Sequence, residues 1–431
     1  MNTIKKILFL LFLALLVVPV QVEAARPGAN SNGIRFTHLR VGLLSRFNGR
    51  SSIVINNTQI VYSSGTLNSA SGFTVRPYSA NQLALYDGSN RIRVLNSPVQ
   101  ISAPNAGLMQ LDGHTYRGAI EFARLGGSGV TAVNIVSMEE YLFSVVPSEM
   151  PATWHPEALK AQAVAARTYA LNMITRGNSH VGFDLCDRVC CQVYRGVEWE
   201  HENSTQAVLA TSGLVALFNG QPIEAVYFAS SGGRTENSEN VWQSAVPYLR
   251  SVADPQEFEP VMWTRTFTLN EISHLLTQNG HGAVGAATAV SIGSTLPSGR
   301  IESLIIHGTS GQLVLERESI RTFFSPLEGG SLQSRNFAIA GGGQTIEEIS
   351  IFDGNQMITT QSAGLSIISA QEGITTIPTQ ALTTASNTIT LNGRGFGHGV
   401  GMSQRGAEGM ARQGHNFREI LTHFYRGITI E

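Results

Sequence analysis

The 431-residue sequence has little charge and no long block of basic residues. Only 14% of its residues are charged, and 29 basic against 31 acidic side chains give a formal net charge of −2. A protein that binds nucleic acid must neutralise phosphates with a basic face. The composition therefore argues against a nucleic-acid partner. The 44 glycines and the low charge instead favour a chain rich in strands and turns.

Long hydrophobic runs are also missing, with one exception at the N-terminus. Lys5 and Lys6 precede an apolar run from Ile7 to Val20, and Ala24 offers a small residue for cleavage. This run is shorter than the roughly 20 residues that span a bilayer. The pattern predicts a secretory signal peptide over residues 1–24 and an exported protein, in the cell envelope or outside the cell. An uncleaved N-terminal anchor is the alternative.

Strand-like segments surround one conspicuous helical region. Between Arg35 and Ala103, apolar and polar residues alternate and break at Asn, Ser and Gly, as half-buried antiparallel strands do. Pro156 and Glu157 favour the start of an Ala-rich helix, and Gly177 can end it after Arg176. We predict an α+β fold that is β-rich, with a central Ala-rich helix, C-terminal helices and an inserted β-rich subdomain.

The composition shifts along the chain predict four regions after the signal peptide. A β-rich region spans 25–105, and a core spans 106–264. An insertion dominated by Thr, Ser, Ile and Gly spans 265–386, and the chain returns to the core at 387–431. Within the core, a hairpin around Leu125–Gly129 should lead into a short helix at Met138–Phe143.

The segment VVPSEMP, Val145–Pro151, holds one carboxylate between two prolines. Prolines restrict their own φ and disfavour helix at the residue before them, so a stiff segment should place the Glu149 carboxyl. Apolar neighbours raise its pKa by desolvation, whereas a helix N-terminus aimed at it would lower the pKa. A general acid requires that desolvation be the larger effect, so that the pKa of Glu149 is raised. The sequence leaves this open, with a structural glutamate as the alternative.

Two basic residues, Lys160 and Arg167, lie seven positions apart and therefore on one face of the predicted helix. They are candidates for binding a sugar or an anion, or for orienting Glu149. A solvated helix face is the alternative.

All three cysteines fall within six residues, at Cys186, Cys190 and Cys191, and His180 precedes them. One interpretation is a tetrahedral zinc site made by His180 and the three thiolates. The other is a disulfide, because an exported chain meets oxidants, although an odd count leaves one thiol over. The residues alone do not decide between them.

Two polar, turn-rich loops are candidates for lining a site. The first, SSGGRTENSENVW, includes Ser231 and Gly232, and the second, GRGFGHGVGMSQ, includes His398 and Gln404. The second loop has neither the G-x-G-x-x-G spacing nor a following Gly-Lys-Ser/Thr, which excludes a phosphate loop. Its alternating glycines instead allow close backbone approach, so a long polymer can lie across it.

Together these segments resemble the SpoIID/LytB family of bacterial cell-wall proteins. The carrying motifs are EEYLFSVVPSEMPATWHPEALKAQAVAARTYAL, CCQVYRG, SSGGRTENSENVW and GRGFGHGVGMSQRGAEGMARQG, within 119–255 and 387–425. The resemblance implies a lytic transglycosylase that acts on peptidoglycan glycan strands already stripped of their stem peptides by a partner amidase. It places the family's catalytic glutamate on Glu149.

The resemblance also assigns roles to the other candidates. It places the family's helix residues on Lys160 and Arg167 and its Gly-rich loop on His398 to Gln404. It further implies a zinc near the cysteines, although Cys190 stands where many relatives have histidine.

A single carboxyl suffices for lytic cleavage, because the muramyl 6-hydroxyl attacks its own anomeric carbon and no water is activated. Hydrolysis normally needs two carboxyl groups. The family also includes an amidase enhancer, so a glycan-binding protein that stimulates a cell-wall amidase without catalysis is the second hypothesis. Ordinary hydrolysis is the third.

Overall fold

The computed structural model describes residues 38–177, 180–341 and 387–431, and the backbone of short strands between 348 and 376. The predicted signal peptide lies outside the described residues. Across the described part of the chain, no helix combines the length and hydrophobicity needed to cross a membrane.

The first hundred described residues form two antiparallel sheets. Their strands are β1 His38–Gly42, β2 Ile53–Ile55, β3 Gln59–Tyr62, β4 Gly65–Asn68, β5 Phe73–Ser79, β6 Gln82–Asp87, β7 Asn90–Asn96, β8 Val99–Ser102, β9 Met109–Leu111, β10 His114–Tyr116, β11 Ala119–Ala123 and β12 Thr131–Ser137. One sheet has the order β1-β12-β11-β8-β3-β4, and the other has the order β10-β9-β2-β5-β6-β7. The predicted hairpin is confirmed, because β11 and β12 pair antiparallel around Leu125–Gly129.

Three helices and a short strand follow: α1 Met138–Glu149, α2 Pro156–Arg176, β13 Leu185–Cys186 and α3 Glu202–Ala210. Strand β13 extends the first sheet by pairing parallel to β1. The predicted limits of α2 are confirmed: Pro156 opens it, and Gly177 ends it with a positive φ of 68°. Its small side chains are fully buried, which allows the close packing expected of an Ala-rich helix.

The predicted end of α1 at Phe143 is wrong, because the helix continues to Glu149 with Pro147 inside it. Val145 and Val146 are fully buried, and packing of this apolar face outweighs the local preference against helix before a proline. Pro147 has no N–H to donate to the Phe143 carbonyl, so α1 forgoes one helical hydrogen bond in its last turn. Met150, which precedes Pro151, is extended with φ −136° and ψ 136°.

Three short strands complete this part of the core: β14 Ala216–Phe218, β15 Gln221–Pro222 and β16 Tyr227–Phe228. The predicted hairpin turn is confirmed, with Asn219 and Gly220 at φ 51° and 73° between β14 and β15.

The inserted subdomain has its own hydrophobic core and contains two helices and most of the later strands. Its elements are β17 Met262–Thr268, α4 Leu269–Gln278, β18 Ala287–Thr295, β19 Ile301–Gly308, β20 Gly311–Glu316, α5 Ser319–Thr322, β21 Phe337–Gly341, β22 Glu348–Phe352, β23 Met357–Gln361, β24 Ser366–Ser369, β25 Gly373–Thr376 and β26 Thr388–Arg394. The central sheet has the order β17-β26-β21. Strands β17 and β26 pair throughout, so the insertion begins and ends slightly outside 265–386.

The C-terminal segment returns to the first core with β27 Met402–Ser403, α6 Gln404–Arg412, α7 Phe417–Phe424 and β28 Thr429–Ile430. Strand β27 pairs parallel to β16, and β28 pairs antiparallel to β14. Buried side chains from Leu39 to Ile428 form one continuous core, so the N-terminal sheets share it with the helices. The predicted α+β class, with the central and C-terminal helices, is confirmed.

Candidate active site

Glu149 is the last residue of α1, and two distant segments fix it in place. Its Oε1 accepts a hydrogen bond from the Val193 N–H at 2.9 Å, and its carbonyl oxygen accepts one from Gln404 Nε2 at 3.0 Å. The other carboxyl oxygen, Oε2, makes no hydrogen bond to any described residue. One carboxyl oxygen is therefore anchored, and the other has no hydrogen-bond partner among the described residues.

Burial raises the pKa of Glu149 above its ordinary value, although the Val193 N–H and the Arg195 guanidinium act in the opposite direction. The partial negative charge at the C-terminal end of α1 also favours the protonated form. The sequence left open whether desolvation or a helix dipole would dominate. In the structure, burial and the dipole of α1 both favour the protonated form, because Glu149 is the last residue of that helix.

A hydrogen-bonded network of buried polar groups lies beside the carboxyl. Tyr141 donates to Gln192 Oε1 at 3.2 Å, and Gln192 Nε2 donates to the Tyr227 hydroxyl at 3.1 Å and to the Ala166 carbonyl at 3.3 Å. The Glu149 carboxylate contributes to the raised pKa of both phenols, after burial as the main cause. Sequence reasoning missed Gln192, Val193 and the two tyrosines, although CCQVYRG was singled out as a motif.

Gln404 is held as a positioning group. It opens α6 and is almost fully buried, and besides the Glu149 carbonyl its Nε2 contacts Gln162 Oε1 at 3.3 Å. Gln404 therefore joins the end of α1 to the middle of α2 and the start of α6.

The structure does not bring Lys160 and Arg167 to Glu149. Lys160 pairs with Glu157 at 2.7 Å within the first turns of α2. Burial alone would raise the pKa of Glu157, but Lys160 and the Phe417 N–H together lower it. Arg167 is buried, and its guanidinium binds both oxygens of Glu139 and the carbonyls of Val208 and Leu214. Its hydrogen bonds join α1 and α2 to α3 and to the segment that follows α3.

Ser231 and Gly232 lie where the first polar loop meets the Gly-rich loop. Ser231 is fully buried, and its hydroxyl donates to Asp254 Oδ2 at 2.7 Å. Gly232 has a positive φ of 69°, and a Cβ built on it would lie 3.1 Å from Arg394 Cγ. Ser230 and Phe396 form a β-bridge between the two loops. The structure thus brings together two loops that are far apart in sequence.

His398 is a neutral ring fixed by backbone groups. Its Nδ1 accepts from the Val400 N–H at 3.1 Å, which leaves the proton on Nε2, 3.2 Å from the Tyr227 carbonyl oxygen. Burial lowers the pKa of His398 to about 3. The ring lies against Phe228 and Trp242, with centroid distances of 5.4 and 5.0 Å. His398 therefore shapes the loop rather than carrying a proton at neutral pH.

Three of the four candidate metal ligands converge, and the fourth, Cys190, lies beside one of them. Ligand atoms of His180, Cys186 and Cys191 all lie within 4.8 Å of one another, and Cys190 Sγ lies 2.8 Å from Cys186 Sγ. Tetrahedral zinc, with Zn–S about 2.3 Å and Zn–N about 2.0 Å, places its ligand atoms about 3.5–3.8 Å apart. All three cysteines are free thiols whose pKa values are raised by burial. The set of His180, Cys186 and Cys191 fits zinc, whereas Cys190 Sγ lies about 1 Å too close to Cys186 Sγ for both to bind one tetrahedral ion as they stand.

This cysteine segment leads directly into the carboxyl site. Gln192 and Val193 follow Cys191 in sequence, and they bind the tyrosine pair and Glu149 respectively. Any interaction that fixes the position of the cysteines therefore also fixes the backbone at Val193, which binds Glu149.

Two family models match this chain. A family model described as "Stage II sporulation protein" matches residues 126–218, which include Glu149, α2 and the cysteines. A second model, described only as a domain of unknown function, matches residues 258–355 of the insertion.

Curated relatives extend the similarity over most of the chain. Stage II sporulation protein D of Bacillus subtilis is 34% identical over 318 residues, covering 69% of this chain and 76% of that protein. Its counterpart in Bacillus amyloliquefaciens is 31% identical over 69% of this chain and 75% of that protein. The amidase enhancer of Bacillus subtilis is 32% identical over 80% of this chain but only 47% of its own length. The chain belongs to the SpoIID/LytB family of sporulation and cell-wall proteins.

Proposed function

We propose that the protein is an exported enzyme that cleaves the glycan strands of peptidoglycan by lytic transglycosylation, with Glu149 as its acid and base. The observation that carries the proposal is the anchored carboxyl at the end of α1, whose pKa is raised and whose Oε2 is unpaired among the described residues. A carboxyl that stays protonated towards neutral pH can donate a proton to a leaving group.

In the proposed reaction, protonated Glu149 donates its proton to the glycosidic oxygen as the bond to the muramyl anomeric carbon breaks. The 6-hydroxyl of the same muramyl residue attacks that carbon, and the Glu149 carboxylate takes the hydroxyl proton. Glu149 ends protonated as it began, and the product carries a 1,6-anhydromuramyl end. No water is consumed.

The surroundings of Glu149 suit a one-carboxyl mechanism. Burial raises the pKa of Glu149 and outweighs the opposing effects of the Val193 N–H and the Arg195 guanidinium. The Val193 N–H stabilises the carboxylate formed after proton donation, while Gln404 fixes the backbone that carries it. A hydrolase would need a second carboxyl to activate water or to form a covalent intermediate.

A glycan-binding enhancer of a cell-wall amidase is the second candidate function. It is favoured by the similarity to a protein named amidase enhancer. In that case the loops around Ser231 and His398 bind the glycan strand, and Glu149 has a structural role. An amidase is then the expected partner.

We further propose that His180, Cys186 and Cys191 hold a structural zinc, with Cys190 as the fourth ligand once its Sγ separates from that of Cys186. When bound, zinc supplies a fixed cross-link that holds the thiolates together. The chain's own contribution is the backbone that follows, which presents the Val193 N–H to Glu149. No step of the proposed reaction passes through the metal.

The test of the proposed function is product analysis on amidase-stripped peptidoglycan. Anhydromuramyl ends made by the purified protein alone support the enzyme. Their absence, with tight glycan binding and stimulation of an added amidase, supports the enhancer.

A further inference from the structure

A turn of the insertion reaches both of the polar loops. It joins β18 to β19 and is closed by a hydrogen bond of 2.8 Å from the Leu296 N–H to the Arg300 carbonyl oxygen. Arg300 ends this turn, and its long side chain is only 1% exposed because it extends between the insertion and the loops. Nothing in the proposed reaction uses Arg300.

Arg300 binds the backbone of the first polar loop. Its Nη1 donates to the Arg234 carbonyl oxygen at 2.7 Å, and its Nη2 donates to the Ser231 carbonyl oxygen at 2.8 Å. On the same stretch, the Glu257 carboxylate accepts from the N–H groups of Ser231 and Gly233 at 2.6 and 3.1 Å. The N–H groups of this stretch are therefore bound by a carboxylate, and its carbonyl groups are bound by an arginine of the insertion.

The same guanidinium lies against the Gly-rich loop. A Cβ built on Gly399 would lie 2.7 Å from Cζ, Nε and Nη2 of Arg300, too close to be accommodated without a shift. Gly399 also has a φ of 89°, which favours glycine. Its carbonyl oxygen accepts from the Glu236 N–H of the first polar loop at 2.8 Å. Arg300 thus contacts both loops where they are hydrogen-bonded to each other.

Two more contacts from the insertion support the first polar loop. The Ser298 hydroxyl, in the same turn as Arg300, donates to Glu236 Oε2. Arg335 is also 1% exposed, and it donates to the Asn240 carbonyl oxygen at 3.0 Å. Asn240 lies near the end of this loop, whereas Arg300 binds its beginning. The insertion therefore holds the loop along most of its length.

The burial of Arg300 is unfavourable by itself. A buried cation carries a desolvation cost, and burial lowers the pKa of Arg300 to about 10. Its hydrogen-bond acceptors are neutral carbonyl groups, with the buried Glu236 as a nearby opposite charge. An apolar side chain would avoid the desolvation cost but would leave those carbonyl groups without this donor. The gain from Arg300 therefore lies in the fixed geometry of the loops.

The loops held in this way carry side chains suited to packing against sugar rings. Trp242, at the end of the first polar loop, is 39% exposed and lies against His398. Phe396, in the Gly-rich loop, is 47% exposed. Aromatic faces of this kind pack well against sugar rings. Because His398 and Gly399 are adjacent in sequence, a shift of Gly399 would move these rings relative to each other.

We propose that Arg300 is a positioning residue through which the insertion sets the relative position of the two loops and hence the affinity for glycan. Glu149 is held separately, by Val193 and Gln404. Loss of Arg300 should therefore weaken glycan binding and leave the chemistry of bound glycan intact. The statement about affinity rests on the proposed function, whereas the statement about the loops does not.

The direct test is hydrogen exchange of the full chain, measured by mass spectrometry. Arg300→Met should speed amide exchange about tenfold in both loops and leave α1 and α2 unchanged. Arg265→Met is the matched control, because Arg265 also binds two carbonyl oxygens, those of Glu328 and Gly330, but within the insertion. It should speed exchange in the insertion and not in the loops. Loops that are as well protected in Arg300→Met as in the wild type overturn the proposal.

A second set of variants keeps the test decisive if Arg300→Met does not fold. Arg300→Lys keeps the charge, but an ammonium group lacks the fork that binds both carbonyl oxygens, so loop exchange should still be faster. Gly399→Ala displaces the guanidinium and should also speed loop exchange. Its effect should shrink in the Arg300→Lys background, where the clash with the guanidinium is gone. Additive effects of the two substitutions would show that the residues act independently, which overturns the proposal.

Kinetics on stripped glycan strands separate positioning from a merely structural role. Arg300→Lys should raise KM about tenfold and change kcat by less than about twofold. A merely structural role would reduce the fraction of active protein, and therefore kcat, without changing KM. That result overturns the proposal.

The inference and the proposed enzyme fail separately. If the wild type makes no anhydromuramyl ends, the enzyme is refuted, and calorimetry with the same strands replaces kinetics as the measure of affinity. Faster loop exchange with weaker glycan binding in Arg300→Lys then still supports the role of Arg300. Faster loop exchange with unchanged glycan affinity overturns it.

Discussion

The Glu149 carbonyl oxygen and Gln404 Nε2 form a hydrogen bond of 3.0 Å between residues 255 positions apart. Through this contact, the first residue of α6 positions the last residue of α1. Because the same helix end carries the Glu149 carboxyl, the position of that carboxyl depends on the C-terminal segment.

Replacement of Gln404 should therefore impair turnover more than substrate binding. Gln404→Leu removes both of its hydrogen bonds, and a small displacement of a catalytic group costs up to about a hundredfold in rate. We expect kcat to fall by about 10- to 100-fold with KM changed far less. Gln413→Leu, at an exposed position just after α6, is the matched control and should leave both constants unchanged. An equal loss in both variants would contradict a positioning role for Gln404.

The raised pKa of Glu149 predicts how stability depends on pH. The folded state holds the carboxyl proton more tightly than the unfolded chain, so the native state loses stability as pH rises from the ordinary value of 4.5 through the raised pKa. Glu149→Gln should increase the free energy of unfolding at neutral pH, and the gain should vanish below pH 4.5.

Glu157→Gln is the control, because its effect on stability should have the opposite sign to that of Glu149→Gln. The pKa of Glu157 is lowered in the folded protein, so Glu157→Gln should reduce stability at neutral pH and the loss should shrink on acidification. Denaturant unfolding at several pH values measures both effects. A Glu149→Gln protein that is less stable than wild type at neutral pH would show that the carboxyl is not held in an unfavourable environment.

Arg167 should act on stability rather than on glycan affinity. Its buried guanidinium is the partner of Glu139 and of two backbone carbonyls. Arg167→Met leaves these acceptors unpaired and should lower the free energy of unfolding by about 3 kcal/mol. Lys160→Met breaks a more exposed pair and should cost less than about 1 kcal/mol. A stable Arg167→Met protein with weakened glycan binding would instead assign Arg167 to the substrate.

The zinc proposal is tested by elemental analysis of protein purified under reducing conditions. We expect about one zinc per chain and protection of the thiols from alkylation, both lost on chelation, with a lower melting temperature. Cys191→Ser should abolish zinc binding, because Cys191 belongs to the converging set. A metal-free protein with a disulfide at Cys186 would reject the site.

Features encoded by local sequence were predictable. The limits of α2 follow from Pro156, Glu157 and Gly177, and the turn at Asn219-Gly220 follows from the φ preferences of its two residues. The end of α1 was not predictable, because burial of Val145 and Val146 outweighs the local effect of Pro147.

The site itself depends on contacts that local sequence does not encode. Val193 reaches Glu149 across 44 positions, and neither residue type indicates the pairing. Arg167 was predicted to bind a sugar or an anion, or to orient Glu149. Because α2 is buried on most of its faces, the helical spacing of its residues could not separate inner from outer positions. The motifs nevertheless identified the segments that converge around Glu149.

The central claim is that Glu149 cleaves glycan without water. The most direct measurement is mass spectrometry of amidase-stripped peptidoglycan treated with the purified wild-type chain or with Glu149→Gln, in heavy-oxygen water. The account predicts unlabelled 1,6-anhydromuramyl ends from the wild type and none from Glu149→Gln, which still binds the strands. Labelled reducing ends from the wild type, or anhydromuramyl ends from Glu149→Gln, would contradict it.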